Sequence, residues 1–241
     1  MAGKFEEGEL RMRRLGIGTL TVLALISASA SARAGDYSGD TLVRVEGSVV
    51  VPDSGAHVYS GGTTLSGADA EISTETIPSL TITHFFTKNI AAELFCCFAK
   101  FSAEGKGAIN GTNLGNFWAF PPVVTLQYHM DPIMGFKPYG GVGFQYIHYF
   151  NTNSGDLGGN LHLSDSFGFA LQGGVDYEIG NGWYLNADVK KIWLDTDANW
   201  RGTGITAKVD VDPLIVSAGV GYRFNLADLL SGRSSEPVPL K

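Results

Sequence analysis

The chain has almost no cysteine. Cys96 and Cys97 are the only two in 241 residues, and they are adjacent. An ordinary disulfide needs Cα atoms about 4.4–6.8 Å apart with facing Cβ atoms, and neighbours on a strand point to opposite faces. A disulfide scaffold is therefore excluded. Long apolar runs are also missing. Beyond residue 34 none reaches the roughly 18 residues of a transmembrane helix. Positive charge is short too: 17 Lys and Arg stand against 24 Asp and Glu, for a net charge of −7. That balance excludes a general nucleic-acid binder, which needs a basic face.

Motifs for metal or catalytic chemistry are equally scarce. The histidines His57, His84, His129, His148 and His162 form no pair at metal-ligand spacing, and there is no HExxH. Asp195, Asp197 and Asn199 imitate the start of an EF-hand loop. Trp200 stands where glycine is needed and Thr206 where a bidentate glutamate is needed, so the match fails. Gly202-Thr203-Gly204 has no helix after it to complete a phosphate cradle. His148 with Ser164 or Ser166 suggests a rim hydrolase, but no nucleophile motif or acidic orienter supports it. No cofactor, metal or catalytic residue is expected.

The first 34 residues read as a signal peptide. Arg11, Arg13 and Arg14 are followed by the mostly apolar stretch Leu15–Ala28, which is too short to span a bilayer. Apart from Arg33, small residues then fill Ser29–Gly35. Ala32 and Ala34 satisfy the small-x-small rule, which puts cleavage after Ala34, with Ala30 as the second choice. Glu6, Glu7 and Glu9 are unusual ahead of the arginines and leave Met12 open as an alternative start. N-terminal sequencing of the membrane-extracted protein should return Gly35; an intact Met1 would refute cleavage.

Eight segments alternate apolar and polar residues with period two: Thr41–Val51, Ile77–Phe86, Ile90–Phe98, Val123–Met130, Lys137–Phe150, Phe167–Ile179, Trp183–Leu194 and Leu214–Phe224. In the last, Leu214, Val216, Ala218, Val220, Tyr222 and Phe224 share one face, with Ser217, Gly219, Gly221 and Arg223 on the other. Such alternation marks a sheet with one apolar face. Many of the 32 glycines fall inside these segments, where glycine marks close packing or a bend.

The connections alternate in length. Thr87–Asn89, Asp131–Phe136 and Gly180–Gly182 are short, while Pro52–Thr76, Ala99–Pro122, Asn151–Ser166 and Asp195–Pro213 are long and polar. Short turns on one rim and long loops on the other characterise transmembrane barrels, whose short turns are periplasmic. Aromatics form two bands. Phe85, Phe86, Tyr128, Phe136, Tyr139, Tyr177, Trp183, Tyr184, Tyr222 and Phe224 lie toward the short turns, and Trp118, Phe120, Tyr149, Phe150, Phe167 and Trp193 toward the long loops. Bands of this kind fit the interfacial girdles of a barrel in outer-membrane lipid.

The pattern predicts an all-β fold, an eight-stranded antiparallel transmembrane β-barrel over residues 35–224, with a polar tail at 225–241. One stretch resists it. If Val189 faces lipid, so does Lys191, while Ile192 and Leu194 turn inward. Either a bulge near 190–192 repairs the phase, or Lys191 snorkels at the rim.

With these strands placed, the chain resembles the OmpW family of small outer-membrane proteins. The resemblance rests on FPPVVTLQYHM (Phe120–Met130), KPYGGVGFQY (Lys137–Tyr146), DSFGFALQGGVDYEI (Asp165–Ile179), WYLNADVKKIWLDTDA (Trp183–Ala198) and VDPLIVSAGVGYRF (Val211–Phe224). VRVEGSVVVP (Val43–Pro52) and THFFTKNIAAELF (Thr83–Phe95) extend it upstream. It implies a Gram-negative outer-membrane barrel with a narrow, largely apolar interior. It further implies a channel for small hydrophobic solutes that leave sideways through the wall. Tyr222–Phe224 would be the aromatic ending read by the barrel assembly machinery, although here the chain continues beyond it.

A second departure lies in the inward-phase residues. Arg44, Glu46, Glu93, Asp176, Asp188, Lys190 and Arg223 nearly balance in sign, and Gln127, Gln145 and Gln172 share their phase. They are expected to line the lumen or plug it as a paired cluster in its periplasmic half or centre. Two other classes stay open: a non-conducting structural or adhesive barrel acting through its loops, and a soluble lipocalin-like carrier. The carrier would need apolar residues inside, whereas here the charges share one face and the apolar residues the other.

Overall fold

The computed structural model describes residues 39–226 and 230. The expected signal peptide at 1–34 and most of the 225–241 tail lie outside the described residues. Among the described residues sixteen strands are formed. In chain order they are β1 (Asp40–Val51), β2 (Gly55–Ser60), β3 (Thr63–Thr64), β4 (Ala68–Ile72), β5 (Glu75–Phe85), β6 (Ile90–Cys97), β7 (Ala99–Gly107) and β8 (Asn113–Phe120). They continue with β9 (Val123–His129), β10 (Phe136–Asn153), β11 (Asn160–Leu163), β12 (Ser166–Gly180), β13 (Trp183–Trp193), β14 (Asp195–Arg201), β15 (Ile205–Asp210) and β16 (Leu214–Asn225).

Eight of these close an antiparallel barrel in the order β1-β5-β6-β9-β10-β12-β13-β16, with β16 returning to β1. The expected strands are present to within a few residues at each end. Gly180–Gly182 makes the tight turn between β12 and β13, with Asn181 and Gly182 at φ 52° and 80°. A left-handed pair of this sort, the type I′ turn, matches the twist of the flanking strands in a two-residue hairpin.

The barrel is inside-out relative to a soluble protein. Val45, Leu126, Val142, Phe144 and Phe167 stand on its outer face and are at least half exposed. An apolar belt this broad is a membrane surface. The inward phase carries the charges. Two inward glycines make room for them: a Cβ on Gly221 would sit 2.8 Å from Arg44 Cγ, and one on Gly143 would meet the β9 backbone.

The long connections differ from their expected form. They are not simply polar loops but strands that carry the barrel wall upward. One sheet joins β11-β14-β15-β2-β3; on the other side β4, β7 and β8 stack onto the upper part of β10. Their inward residues are apolar, including Val58, Phe101, Phe117, Leu161, Trp200 and Val209. Counted as whole segments these stretches look polar, because the outward half of each strand is polar and hides the alternation.

The β13 register runs without a bulge from Asp188 to Trp193. Lys191 is only partly exposed and donates from Nζ to the Asp212 carbonyl at 2.5 Å, so the rim placement holds rather than the phase repair. Ile192 and Leu194 keep the inward phase because the interior at that height is apolar.

Candidate functional site

The interior is layered from the short-turn rim upward. At the bottom Leu42, Phe85, Ala91 and Tyr184 pack as a buried cluster. Arg223 lies over the Tyr184 ring (5.3 Å) and 3.5 Å from Asp40, while Lys137 lies over Phe85 (5.1 Å).

Above this comes a closed polar network. Arg44, on β1, presents Nε and Nη2 to the two Asp176 oxygens of β12 at 3.0 and 2.7 Å. Its Nη1 reaches Glu93 of β6 at 3.0 Å. Glu93 also meets Lys190 of β13 at 3.2 Å, and Lys190 in turn pairs with Asp188. The charges thus alternate along one chain, Asp176–Arg44–Glu93–Lys190–Asp188. Neutral groups complete the ring. Gln172 Nε2 donates to Glu93 and Asp188, both at 2.8 Å, while its Oε1 accepts from Thr125 and Gln127. The Tyr139 hydroxyl donates to Asp188 (3.1 Å) and accepts from Asn186, which also donates to Asp176 (2.9 Å). All these groups are buried. Desolvated charge is tolerated here because each has a counter-charge and further hydrogen bonds.

Of the ten inward-phase residues singled out, Arg44, Glu93, Gln127, Gln172, Asp176, Asp188 and Lys190 meet in this network. Glu46 is buried nearby, but its Oε2 has no hydrogen-bond partner among the described residues. Arg223 is separate, pairing with Asp40. Gln145 stands higher, on the cavity wall. Tyr139 and Asn186 were missed, although both share the inward phase of their strands. By height Tyr139 reads as part of an aromatic band, but its parity with Gly141 and Gly143 turns it inward.

Parity also corrects the girdle. Tyr149 is on the inward phase, 8% exposed and packed edge-on against Phe117. Phe85, Tyr139 and Tyr184 point inward as well. Tyr222 keeps the outward phase but is also only 8% exposed, packed against the rings of Trp183 and Phe224. Phe167, Tyr177 and Trp183 are exposed on the outer face; Trp118, Phe120 and Phe224 are partly exposed.

A layer of three serines, with Ser48 Oγ 2.6 Å from Ser79 and 2.7 Å from Ser217, caps the network. Above it opens a cavity of about 170 Å³. Val50, Ile77, Ile147 and Ile215 of the barrel and Val58, Phe101, Leu161 and Val209 of the upper strands are among its walls. Trp200 spans its top from β14, donating Nε1 to the Leu114 carbonyl of β8 at 3.2 Å.

Beside the cavity the wall loses its ladder between β6–β7 and β8–β9. β6 pairs with β9 up to Phe95↔Val123, and pairing resumes in the same register between β7 and β8 at Ala99↔Ala119. Between them, Cys96–Phe98 face Phe120–Pro122 outside either ladder. Proline has no N–H to donate. Pro122 turns its carbonyl to β10, accepting from Tyr146 N at 3.1 Å, so by alternation the missing Pro121 N–H is the one that would reach β6. The Pro121 carbonyl accepts from Gln145 Nε2 (3.5 Å) instead. Outside, the rings of Phe98 and Phe120 stack at 4.8 Å beside the break.

At the outer rim His148 Nδ1 lies 2.9 Å from Asp165, which also accepts from the Tyr146 hydroxyl at 2.6 Å. These bonds, Tyr146 first, hold the Asp165 carboxyl below the usual carboxylate range. The acidic partner absent from the sequence reading is therefore present. The serines are not on the ring, since Ser166 Oγ donates to the Ser164 carbonyl. Asp195, Asp197 and Asn199 stand on β14, an extended strand rather than a calcium loop.

Comparison with known proteins agrees with this architecture. The chain is similar to the uncharacterized outer-membrane protein y4mB of Sinorhizobium fredii, 38% identical over 76% of this chain and 79% of that one. It is also similar to outer membrane protein AlkL of Ectopseudomonas oleovorans, 34% identical over 68% and 73%. The crystal structure of OprG from Pseudomonas aeruginosa superimposes with a TM-score of 0.73 at 28% identity, covering 79% of this chain and 98% of that one. Residues 37–224 match the OmpW family as a whole, and with its closed eight-stranded barrel this chain belongs to that family of outer-membrane proteins.

Proposed function

We propose that this barrel admits small hydrophobic molecules from the cell exterior into its upper cavity and releases them sideways into the membrane at Pro121. The observation that carries this reading is the apolar cavity, which stands above a charged network and beside a stretch where β6–β7 and β8–β9 lose their ladder at a proline. An apolar solute gains from leaving water for such a cavity and loses heavily on entering a network of desolvated charge. The route downward is therefore costly for it, and the route through the wall is short. The same network closes the lower lumen to ions. The barrel acts as a passage, with no reaction assigned to it. Tyr222–Phe224 is the segment we assign to the barrel assembly machinery.

Pro121→Val restores the missing N–H opposite Cys97 with a residue suited to strands. Uptake of a hydrophobic dye or alkylbenzene by cells carrying the variant is expected to fall about tenfold, equivalent to ~1.4 kcal/mol of added barrier. Unchanged uptake with an intact barrel would refute the lateral route. Absence of uptake by the unmodified protein would favour a non-conducting structural or adhesive barrel.

A further inference from the structure

A solute must pass the top of the cavity to enter it, and Trp200 spans that top. The upper wall is two sheets rather than one continuous ring. β4, β7, β8 and the upper part of β10 make the first; β11, β14, β15, β2 and β3 make the second. In the barrel below, the ladder runs up to Val50↔Glu75 between β1 and β5 and to Ile147↔Ser166 between β10 and β12. Above these two pairs no ladder joins the sheets among the described residues. With four barrel strands between them on either side, the two seams face each other across the cavity.

Side chains bridge both seams. At β2/β4, Asp69 Oδ1 accepts from Ala56 N (2.7 Å) and Ser54 Oγ from Ile72 N (2.9 Å). At β10/β11, Thr152 Oγ1 donates to the Leu161 carbonyl (2.6 Å) and Ser154 Oγ accepts from Leu161 N (3.1 Å). The β10/β11 seam is also braced by the chain itself. The 3-10 turn Gly155–Leu157 crosses it, and Asp156 in that turn accepts from Asn113 N at 2.9 Å. At the β2/β4 seam Leu65, 38% exposed, both reaches the surface and lines the cavity. Bonds at a solvated surface exchange with water at small net cost, so such a seam parts more readily than a ladder.

One further bond ties the sheets across the top. Trp200 of the second sheet is buried, and its Nε1 donates to the Leu114 carbonyl of the first. A bulge makes that carbonyl available. The register of β8 with β7 shifts between Gly115 and Asn113 and leaves Leu114 without a paired residue on β7.

We infer that Trp200 is the latch of the cavity's outer entrance, and that a solute enters when the two sheets part along the β2/β4 seam and hinge at β10/β11. This inference rests on the reading of the cavity as a passage for apolar solutes. Opening costs the Trp200 bond and two surface side-chain bonds, while the barrel ladder below stays whole. It also widens the chamber. A comparable apolar cavity of about 150 Å³ takes benzene, so solutes bulkier than that depend most on the opening.

The test measures uptake of a hydrophobic dye by cells carrying the full protein. His57 and Glu71 are exposed on the outer faces of β2 and β4, away from the cavity. With both replaced by cysteine, a methanethiosulfonate cross-linker bridges the β2/β4 seam and a reductant releases it. The unmodified protein, which has only Cys96 and Cys97, receives the same reagents as the control. Before bridging, uptake by the double variant is expected within about twofold of the unmodified protein, as for other surface substitutions. Bridging should lower it about tenfold, and the reductant should restore it. Trp200→Phe keeps a ring in place and removes the donor. It should raise uptake about fivefold, the worth of one hydrogen bond, and more for a bulky dye than for a small one. Uptake that bridging leaves unchanged would overturn the entrance, and unchanged uptake in Trp200→Phe would overturn the latch. No uptake by the unmodified protein would overturn the passage reading and this inference together. If bridging has no effect while Pro121→Val still lowers uptake, this inference alone falls. Bridging and release act on one folded protein, so they decide the entrance even where Trp200→Phe fails to fold.

Discussion

Replacing Arg44 with methionine is expected to cost the folded barrel about 3–5 kcal/mol, the range for removing one partner of a buried ion pair. Arg44 is fully buried and joins β1 to β12 and β6 through Asp176 and Glu93. Methionine fills similar volume but leaves Asp176 with Asn186 as its remaining polar contact in the network and Glu93 with Lys190 as its remaining counter-charge. Arg223 is no partner for Glu93 in a mutant cycle, because it pairs with Asp40. The informative double variant is Arg44→Met with Asp176→Asn, which removes both members of the bidentate pair and should recover part of the loss. Urea unfolding of single and double variants in lipid vesicles measures the coupling. Strictly additive losses would show that the two charges are held independently.

Leu126→Arg is expected to lose about 2–4 kcal/mol, the cost of a charge on the lipid face near the bilayer midplane. Leu126 is 56% exposed on the outer surface of β9, between Ala92 and Val142 on the neighbouring strands. Gln172→Arg should lose much less. That position already donates to Glu93 and Asp188, and a guanidinium would supply donors to the same two carboxylates. Folding free energies in vesicles decide the comparison. Equal losses at 126 and 172 would reverse the assignment of faces.

Most of the barrel was legible because one rule governs every spanning strand. Side chains alternate between two solvents, lipid and interior, and the alternation survives in Leu214–Phe224 or Val123–Met130 without knowledge of any neighbour. The same rule places Tyr149 and Tyr139 inside. Reading aromatics by height rather than parity put both in a girdle. The upper strands obey the rule too: in Thr196, Ala198 and Trp200, alternate residues of β14 face the cavity while Asp195, Asp197 and Asn199 face out. Read as whole segments, such stretches looked like polar loops.

The sequence by itself determined the number of spanning strands, their faces and the short-turn and long-loop rims, because these depend on period and spacing within each segment. Only the tertiary structure decided which charges meet. Arg44 and Asp176 lie 132 positions apart in the chain, and the barrel's closure and strand stagger set their partnership. Closure likewise brought Gln145 of β10 to the Pro121 carbonyl. Local pattern tells a side chain which way to face, whereas its partner across a closed barrel is fixed by registers summed over several strands, which no single segment encodes.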